Sequence, residues 1–186
     1  DLIVSFGEII LTRIASVKFT SMGISNHWTD ARDIVKTVKL GDVHTPDIGK
    51  TYSNIRKLLA TEKSRLHIIP GFISSDSQKR TTTLGRGGSD YTASLFAAAT
   101  DARVLQIWSD VDGMMTADPR VVPEAKCIKH ISYNEAQELS HFGAKVIYPP
   151  TIQPAIEKGI PIEVKNTFSP YSEGTYIESS PPETRG

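Results

Sequence analysis

The sequence predicts an α/β protein with a mostly parallel sheet, and three observations carry that expectation. Short apolar runs alternate with helix-like segments through the second half of the chain, the order that parallel strands joined by crossover helices require. Hydrophobic residues make up 39 % of the 186 residues, enough for a packed core and too many for a disordered chain. Capping and stop signals frame the helical segments, so their limits can be read directly.

Ser5 and Glu8 have the S-x-x-E spacing of a capping box ahead of IILTRIASVKFTSM, a helix start. Ile9, Leu11, Ile14, Ala15, Phe19 and Met22 give that helix a rough apolar face, and Gly23 is its expected stop. A short strand is expected at His27 to Thr29, and TVKLGDVHTPDIG, broken by Gly and Pro, reads as loop. TYSNIRKLLATE reads as helix, with Ile55, Leu58 and Leu59 on one side. RLHIIPGFI reads as a buried strand ending at Pro70-Gly71, and SSDSQKRTTTL as a loop or an edge hairpin.

The second half is clearer. YTASLFAAATDA is helical, RVLQIWS is a strand, and DVDGMMTADPR is a turn-rich loop. Ser132 and Glu135 form a second capping box that opens YNEAQELSHF, with Gly143 as its stop. Thr151 caps a short helix through Lys158, Gly159 ends it, and IPIEVKN is the last strand. Trp28 and Trp108 are assigned to the core. The tail ESSPPETRG reads as linker.

Charge and composition exclude several functions. Lys+Arg and Asp+Glu both number 21, so the sequence carries no electrostatic footprint for nucleic acid or an anionic membrane. No apolar run approaches the ~18 residues of a membrane span, and nothing near Asp1 resembles a signal peptide. Cys127 is the only cysteine; an intramolecular disulfide is impossible, and a cytoplasmic location is expected.

The most informative stretch is TLGRGGSDYTASL, Thr83 to Leu95. Glycines let a substrate approach the backbone closely. The amides at a helix start point outward without partners. Arg86 offers a planar fork suited to a carboxylate or phosphate, and Ser89 and Asp90 are good N-caps. The same residues also fit a tight loop with a capped helix and a surface arginine. They do not fit a dinucleotide fingerprint, which needs glycine where Asp90 stands, and the full Walker pattern G-x-x-x-x-G-K-[ST] is absent.

Four motifs in order, SFGE (5–8), GRGGSDYTA (85–93), WSDVDGMMTADPR (108–120) and FGAKVIYPPT (142–151), resemble the aspartokinase catalytic domain. ISYNEAQEL and IPIEVKNTF match it too. The likeness is greatest to the kinase portion of bifunctional aspartokinase–homoserine dehydrogenases. It covers essentially the whole chain and is best from Leu66 to Ile177. The resemblance implies the amino acid kinase fold, a three-layer αβα sandwich with a mainly parallel sheet. Residues 1–178 would be the C-terminal part of the catalytic domain and 179–186 a linker tail. It also implies an activity: transfer of the γ-phosphoryl group of ATP to the side-chain carboxylate of L-aspartate. That is the first step toward lysine, threonine and methionine. A carboxylate nucleophile is already ionised at neutral pH, so the reaction needs positioning and charge neutralisation rather than a base.

By resemblance, Glu8 binds the aspartate ammonium, Arg86 clamps a substrate carboxylate, and Ser89 helps to hold aspartate. Asp90 orients catalytic lysines around the phosphates. Ser109 and Asp110 match a Thr-Asp pair near the adenosine, Arg120 matches an arginine at the phosphates, and Lys145 matches a nucleotide-binding, catalytic lysine. Mg²⁺ is expected to ride on the ATP phosphates with no dedicated protein ligands, and a homo-oligomer is expected. Met115 stands where the family often has tyrosine near the adenine, which removes ring stacking. The family's K-F-G-G-[TS]-S segment has no counterpart in these 186 residues. The fold is therefore expected to be incomplete at its N-terminus, and the 186 residues alone to be inactive. A glutamate or acetylglutamate kinase, and a non-catalytic binding or assembly module of the same fold, are the alternatives.

Overall fold

Between Thr100 and Asp101 the chain divides into two units, each with its own core. The computed structural model describes residues 1–118, 120–142 and 146–181, with His141 and Phe142 described by backbone alone.

Unit 1 opens with α1, Leu2–Ser21. Because the helix starts at Leu2, Ser5 and Glu8 lie inside it, and no capping box forms. The Ser5 hydroxyl donates instead to the Leu2 carbonyl at 2.7 Å. Gly23, at φ +76°, follows the end of α1 as expected. The apolar face does not find the core: Leu11, Ile14 and Met22 are all more than half exposed, and only Ser5 of the helix is buried. What ties α1 down is polar and aromatic. The Arg13 guanidinium lies 3.4 Å from the centre of the Trp28 ring, and the Trp28 indole donates to the Thr12 hydroxyl at 3.0 Å.

β1 (His27–Trp28) pairs in parallel with β4 (His67–Ile68). α2 (Ala31–Ile34) is capped by Asp30, which accepts from the Arg32 amide at 3.0 Å. The segment expected as loop is an antiparallel hairpin, β2 (Thr37–Leu40) and β3 (Val43–Pro46). Leu40 faces Val43 across a two-residue turn, and Gly41 takes the φ of +61° that such a turn demands. α3 (Ile48–Thr61), capped by Asp47, buries Thr51, Ile55 and Leu58, while Leu59 stays exposed. Its first turn holds a Gly49-Lys50-Thr51 triplet, but His44 stands where a P-loop needs its leading glycine. Lys50 pairs with Asp47 at 2.9 Å, and the buried Thr51 hydroxyl accepts from the Lys36 amide. β5 (Ile73–Ser75) and β6 (Thr81–Thr83) form the edge hairpin. α4 (Gly88–Ala99) packs small residues towards α3; Ile34, Ile55, Leu58 and Ala99 make the shared core, with Tyr52, Ile69 and Phe96 against it.

Unit 2 contains β7 (Leu105–Ser109), β8 (His130–Ser132), α5 (Tyr133–Phe142), α6 (Pro149–Glu157), β9 (Ile162–Asn166) and β10 (Thr175–Glu178). The strands form one sheet in the order β7-β9-β10-β8; β7/β9 and β10/β8 are parallel, and β9/β10 is antiparallel. Neither β8 nor β10 is expected from the sequence, and IPIEVKN is not the last strand. Leu105, Ile107, Ile131, Ile162, Val164 and Ile177 are buried on one face of the sheet. Trp108 is 46 % exposed on the other face, outside the core, beside Lys165. The second capping box forms as read. The Ser132 hydroxyl accepts from the Glu135 amide at 3.2 Å, and the Glu135 carboxylate accepts from the Ser132 amide at 2.9 Å. The Ser132 hydroxyl, donating to the Glu135 carboxylate at 2.6 Å, and the Ser132 amide hold that carboxyl below its ordinary range. α6 starts earlier than read, at Pro149, so Thr151 is inside it and donates to the Tyr148 carbonyl. Gly159, at φ +63°, ends it. Gly143, expected to end α5, and most of the tail lie outside the described residues.

Two glycines of unit 2 separate the cost of a left-handed backbone from the cost of a clash. Gly159 (φ +63°) has open space where a Cβ would go, whereas a Cβ on Gly174 (φ +74°) would collide with the Val164 carbonyl oxygen. Gly159→Ala is expected to cost about 1 kcal/mol, and Gly174→Ala about 3 kcal/mol. Urea unfolding of both variants checks the difference; equal midpoints would remove the steric account of Gly174.

Candidate functional site

The glycine-rich stretch of unit 1 forms a corner. Gly85 (φ +71°) and Gly87 (φ +67°) turn the chain, and Gly87 is the N-cap of α4. Ser89 and Asp90 are therefore not caps, as the sequence suggested. They sit in the first turn of the helix, where amides lack helical partners. A second segment meets this turn from the side. A Cβ on Gly71 would lie 2.9 Å from the Ser89 Cα, and one on Gly88 would lie 2.8 Å from the Phe72 ring. Both positions must be glycine for the two segments to touch. Phe72 itself has φ +70°, a left-handed conformation that costs a non-glycine residue about 1–3 kcal/mol. Its amide donates to the Thr92 hydroxyl at 3.1 Å, and its carbonyl accepts from the Leu84 amide at 2.9 Å. These bonds fix the strained conformation.

The result is an open pocket of about 340 Å³ lined by Glu8, Phe72, Gly85, Gly87, Gly88, Ser89 and Asp90. Glu8, from α1, meets Ser89 and Asp90, from α4, across more than eighty residues of sequence. Arg86 is exposed between two of the lining glycines, and its side chain is not part of the lining. Burial pushes the Asp90 carboxyl above its ordinary range. Sequence reasoning missed Phe72 and Gly71; the Pro70-Gly71 pair was legible only as the end of a strand.

In unit 2 the nucleotide candidates follow β7. The Ser109 hydroxyl donates to the Asp110 carboxylate at 3.1 Å, and the Ser109 carbonyl accepts from the Thr167 amide at 2.8 Å. Asn166 donates to Asp112 at 2.8 Å, which lashes the ends of β7 and β9 together. Met115 is half-buried and bridges to Cys127. Arg120 is exposed and held by Asp118 through two side-chain bonds, at 3.0 and 2.8 Å. The Arg120 guanidinium lowers the Asp118 carboxyl to about 2. Sequence reasoning took Asp118 only as part of the motif and missed this pairing. Lys145 lies outside the described residues. Among the described residues no three His, Cys, Asp or Glu side chains cluster to hold a metal.

Residues 1–166 match the family model described as amino acid kinase family. The chain is 41 % identical over 179 residues to the bifunctional aspartokinase/homoserine dehydrogenase of Buchnera aphidicola subsp. Acyrthosiphon pisum (strain APS), covering 95 % of this chain and 22 % of that protein. It is 40 % identical over 178 residues to lysine-sensitive aspartokinase 3 of Escherichia coli (strain K12), covering 95 % of this chain and 40 % of that one. Its structure matches that of E. coli aspartokinase III in complex with aspartate and ADP (R-state) with a TM-score of 0.90 at 39 % identity, over 97 % of this chain and 40 % of that one. The architecture is thus that of the aspartokinases, α/β as expected, and the chain spans less than half the length of the relatives it matches.

The half-buried Asp90 carboxyl yields a stability prediction. Its folded pKa lies above the ordinary 3.8, so the folded state binds the proton more tightly than the unfolded state. The stability from this group is full below the ordinary value and is lost as pH rises through the folded value. At neutral pH the fold carries a half-buried charge with no hydrogen bond to it among the described residues. Asp90→Asn is expected to raise the urea midpoint at pH 7, with the gain shrinking as pH falls toward 4. A lower midpoint for the variant at pH 7 would show that the charge is satisfied.

Proposed function

The chain belongs to the amino acid kinase family, and we propose that the protein it comes from is an aspartate kinase, transferring the γ-phosphoryl group of ATP to the side-chain carboxylate of L-aspartate. The observation that carries this reading is the pocket of unit 1. A carboxylate from Glu8, the Ser89 hydroxyl and the open first turn of α4 converge in it. Free aspartate presents an ammonium and two carboxylates, and this set of groups answers both signs of charge.

In the proposed reaction a side-chain carboxylate oxygen of aspartate bonds to the γ-phosphorus. The bond from phosphorus to the β,γ-bridging oxygen breaks, leaving ADP and 4-phospho-L-aspartate. The nucleophile needs no base, since it is ionised at neutral pH. Glu8 holds the ammonium, Arg86 swings its fork onto a substrate carboxylate, and Ser89 donates to the same substrate. Asp90 orients cations at the phosphates. The cost of keeping Asp90 charged and partly buried is the cost of having that anion in place before substrate arrives. On the nucleotide side Ser109 and Asp110 meet the adenosine, Met115 covers the purine, and Arg120 and Lys145 neutralise phosphate. Arg120 exchanges Asp118 for phosphate oxygens, an exchange of one bidentate anion for another. Mg²⁺ travels with ATP and offsets phosphate charge when bound. A cytoplasmic location enters this reading through the lone cysteine and a homo-oligomer through the resemblance; no helix among the described residues is long and apolar enough to cross a membrane.

The test is turnover by the full-length protein with ATP, Mg²⁺ and a panel of L-aspartate, L-glutamate and N-acetylglutamate, read by coupled ADP release. Turnover with glutamate or acetylglutamate but not aspartate would transfer the reading to another amino acid kinase, and turnover with none of the three would end it. Within the active enzyme, Arg86→Lys should lose about 2 kcal/mol of transition-state stabilisation for aspartate, roughly 30-fold in kcat/KM, because lysine cannot reproduce the fork. Unchanged aspartate kinetics would take Arg86 out of the site. Lys145→Met should raise the KM for ATP by about tenfold while leaving the melting temperature within the small range of surface changes; a normal KM for ATP would make Lys145 an ordinary surface lysine.

A further inference from the structure

Thr175 opens β10 and is 1 % exposed. Its hydroxyl makes two hydrogen bonds to backbone groups far away in sequence. It accepts from the Met114 amide at 2.8 Å and donates to the Ile128 carbonyl at 2.6 Å. Met114 and Ile128 are the two feet of one excursion of the chain. They also bond to each other, the Ile128 amide donating to the Met114 carbonyl at 2.8 Å. One rung further out Met115 bridges to Cys127. At the next, the Thr116 amide donates to the Lys126 carbonyl at 2.9 Å, and the Thr116 hydroxyl accepts from the Lys126 amide at 3.0 Å. Beyond this short ladder lies the segment that carries Asp118 and Arg120.

The fit at the feet is specific. Gly113 has φ +139°, and a Cβ there would collide with the Thr175 hydroxyl and lie 2.8 Å from the Cys127 sulfur. Gly113 and Thr175 therefore match as a pair: one gives up its side chain so that the other can bond both feet. The buried hydroxyl gives its one proton to the Ile128 carbonyl and takes the Met114 amide on a lone pair, with the Cys127 sulfur 3.6 Å away. Valine has the same shape and offers neither bond. It would leave the Met114 amide and the Ile128 carbonyl buried without their side-chain partner.

We propose that Thr175 is a positioning residue for the nucleotide side of the reaction. Its hydroxyl staples the feet of the 114–128 excursion, and through them sets where Met115 and Arg120 stand. The inference rests on the reading of Met115 and Arg120 as nucleotide-facing. It adds a residue from β10, an inner strand of the sheet, that is assigned contact with neither ATP nor aspartate.

The experiment uses the full-length protein, with KM for ATP and for aspartate measured separately in Thr175→Val, Thr175→Ser and Arg120→Ala, and with limited trypsin digestion at the Arg120 and Lys126 bonds. Thr175→Val should raise the KM for ATP about tenfold while the KM for aspartate stays within about twofold, and should speed cleavage at those bonds about tenfold. Thr175→Ser, which keeps the hydroxyl, should restore both readouts. An unchanged KM for ATP in folded Thr175→Val, an equal rise for both substrates, or unchanged cleavage would overturn the proposal. If Arg120→Ala leaves the KM for ATP untouched while Thr175→Val still raises it and speeds cleavage, the assignment of Arg120 fails and the staple stands. If Thr175→Val does not fold, Thr116→Ala at the exposed next rung should move both readouts in the same direction by about threefold, and no movement there counts against the staple.

Discussion

Much of unit 1 depends on a close contact that two glycines make possible. The chain at Gly71 and the first turn of α4 at Gly88 come closer than any Cβ would permit. That approach brings Phe72 under the helix start and forces it into a left-handed conformation. Thr92 and Leu84 then hold it there with bonds to its amide and carbonyl. The pocket is the space left beside this contact. Its walls are glycine because the backbone itself has to be the wall, and its floor is a helix start because unpaired amides are the cheapest way to offer donors without a cation.

Unit 2 solves a related problem by the same means. There the excursion after β7 has to leave the sheet and return to β8 without dragging the strands apart. Gly113 yields space to Thr175, and Gly174 yields space to the Val164 carbonyl, so β9 and β10 close up beneath the excursion. Asn166 adds a tie to Asp112 from the end of β9. In both units a glycine matters for what occupies the volume its side chain would have filled: Ser89 and Phe72 in unit 1, Thr175 and the Val164 carbonyl in unit 2.

This explains what could be read from the sequence and what could not. The stretch around Arg86 was legible as a glycine-rich turn ahead of a helix, and Gly85, Gly87, Gly88, Ser89 and Asp90 do line one pocket there. The Ser132–Glu135 box was legible because both partners sit at a true helix start. The identical spacing at Ser5 and Glu8 misled, because α1 begins three residues before Ser5, and a local pattern cannot say where the preceding chain already is. The hairpin at Gly41-Asp42 was lost because its strands are four residues each and are punctuated by Gly41 and Pro46, and their apolar residues Val38, Leu40 and Val43 stay exposed. β8 and β10 are three and four residues long, below what periodicity can register. Phe72 left no trace, since a positive φ at a phenylalanine is imposed entirely by tertiary contacts. Trp108 was assigned to the core from its hydrophobicity, yet it sits on the sheet face that its strand turns outward.

The features that sequence reasoning handled worst are those where local preference and final structure disagree. Phe72 is strained, Asp90 is a carboxylate in a place that resists charge, and α1 shows apolar residues to water. An arrangement chosen for stability alone would place glycine at 72 and a neutral residue at 90. The proposed chemistry gives a reason for the first two exceptions. A strained corner that cannot relax keeps the pocket from collapsing before substrate enters. A carboxylate already desolvated can orient cations without waiting for solvent to reorganise. The left-handed Phe72 alone costs about 1–3 kcal/mol, a sizeable part of the 5–15 kcal/mol that separates a folded domain from its unfolded chain. The compensation is visible nearby, in the small-residue packing of α4 against α3 and in the paired hydroxyls of Thr37, Ser74 and Thr82 behind the β5–β6 hairpin. The core of unit 1 is ordinary, and that ordinary core is what allows one end of α4 to be built against local preference.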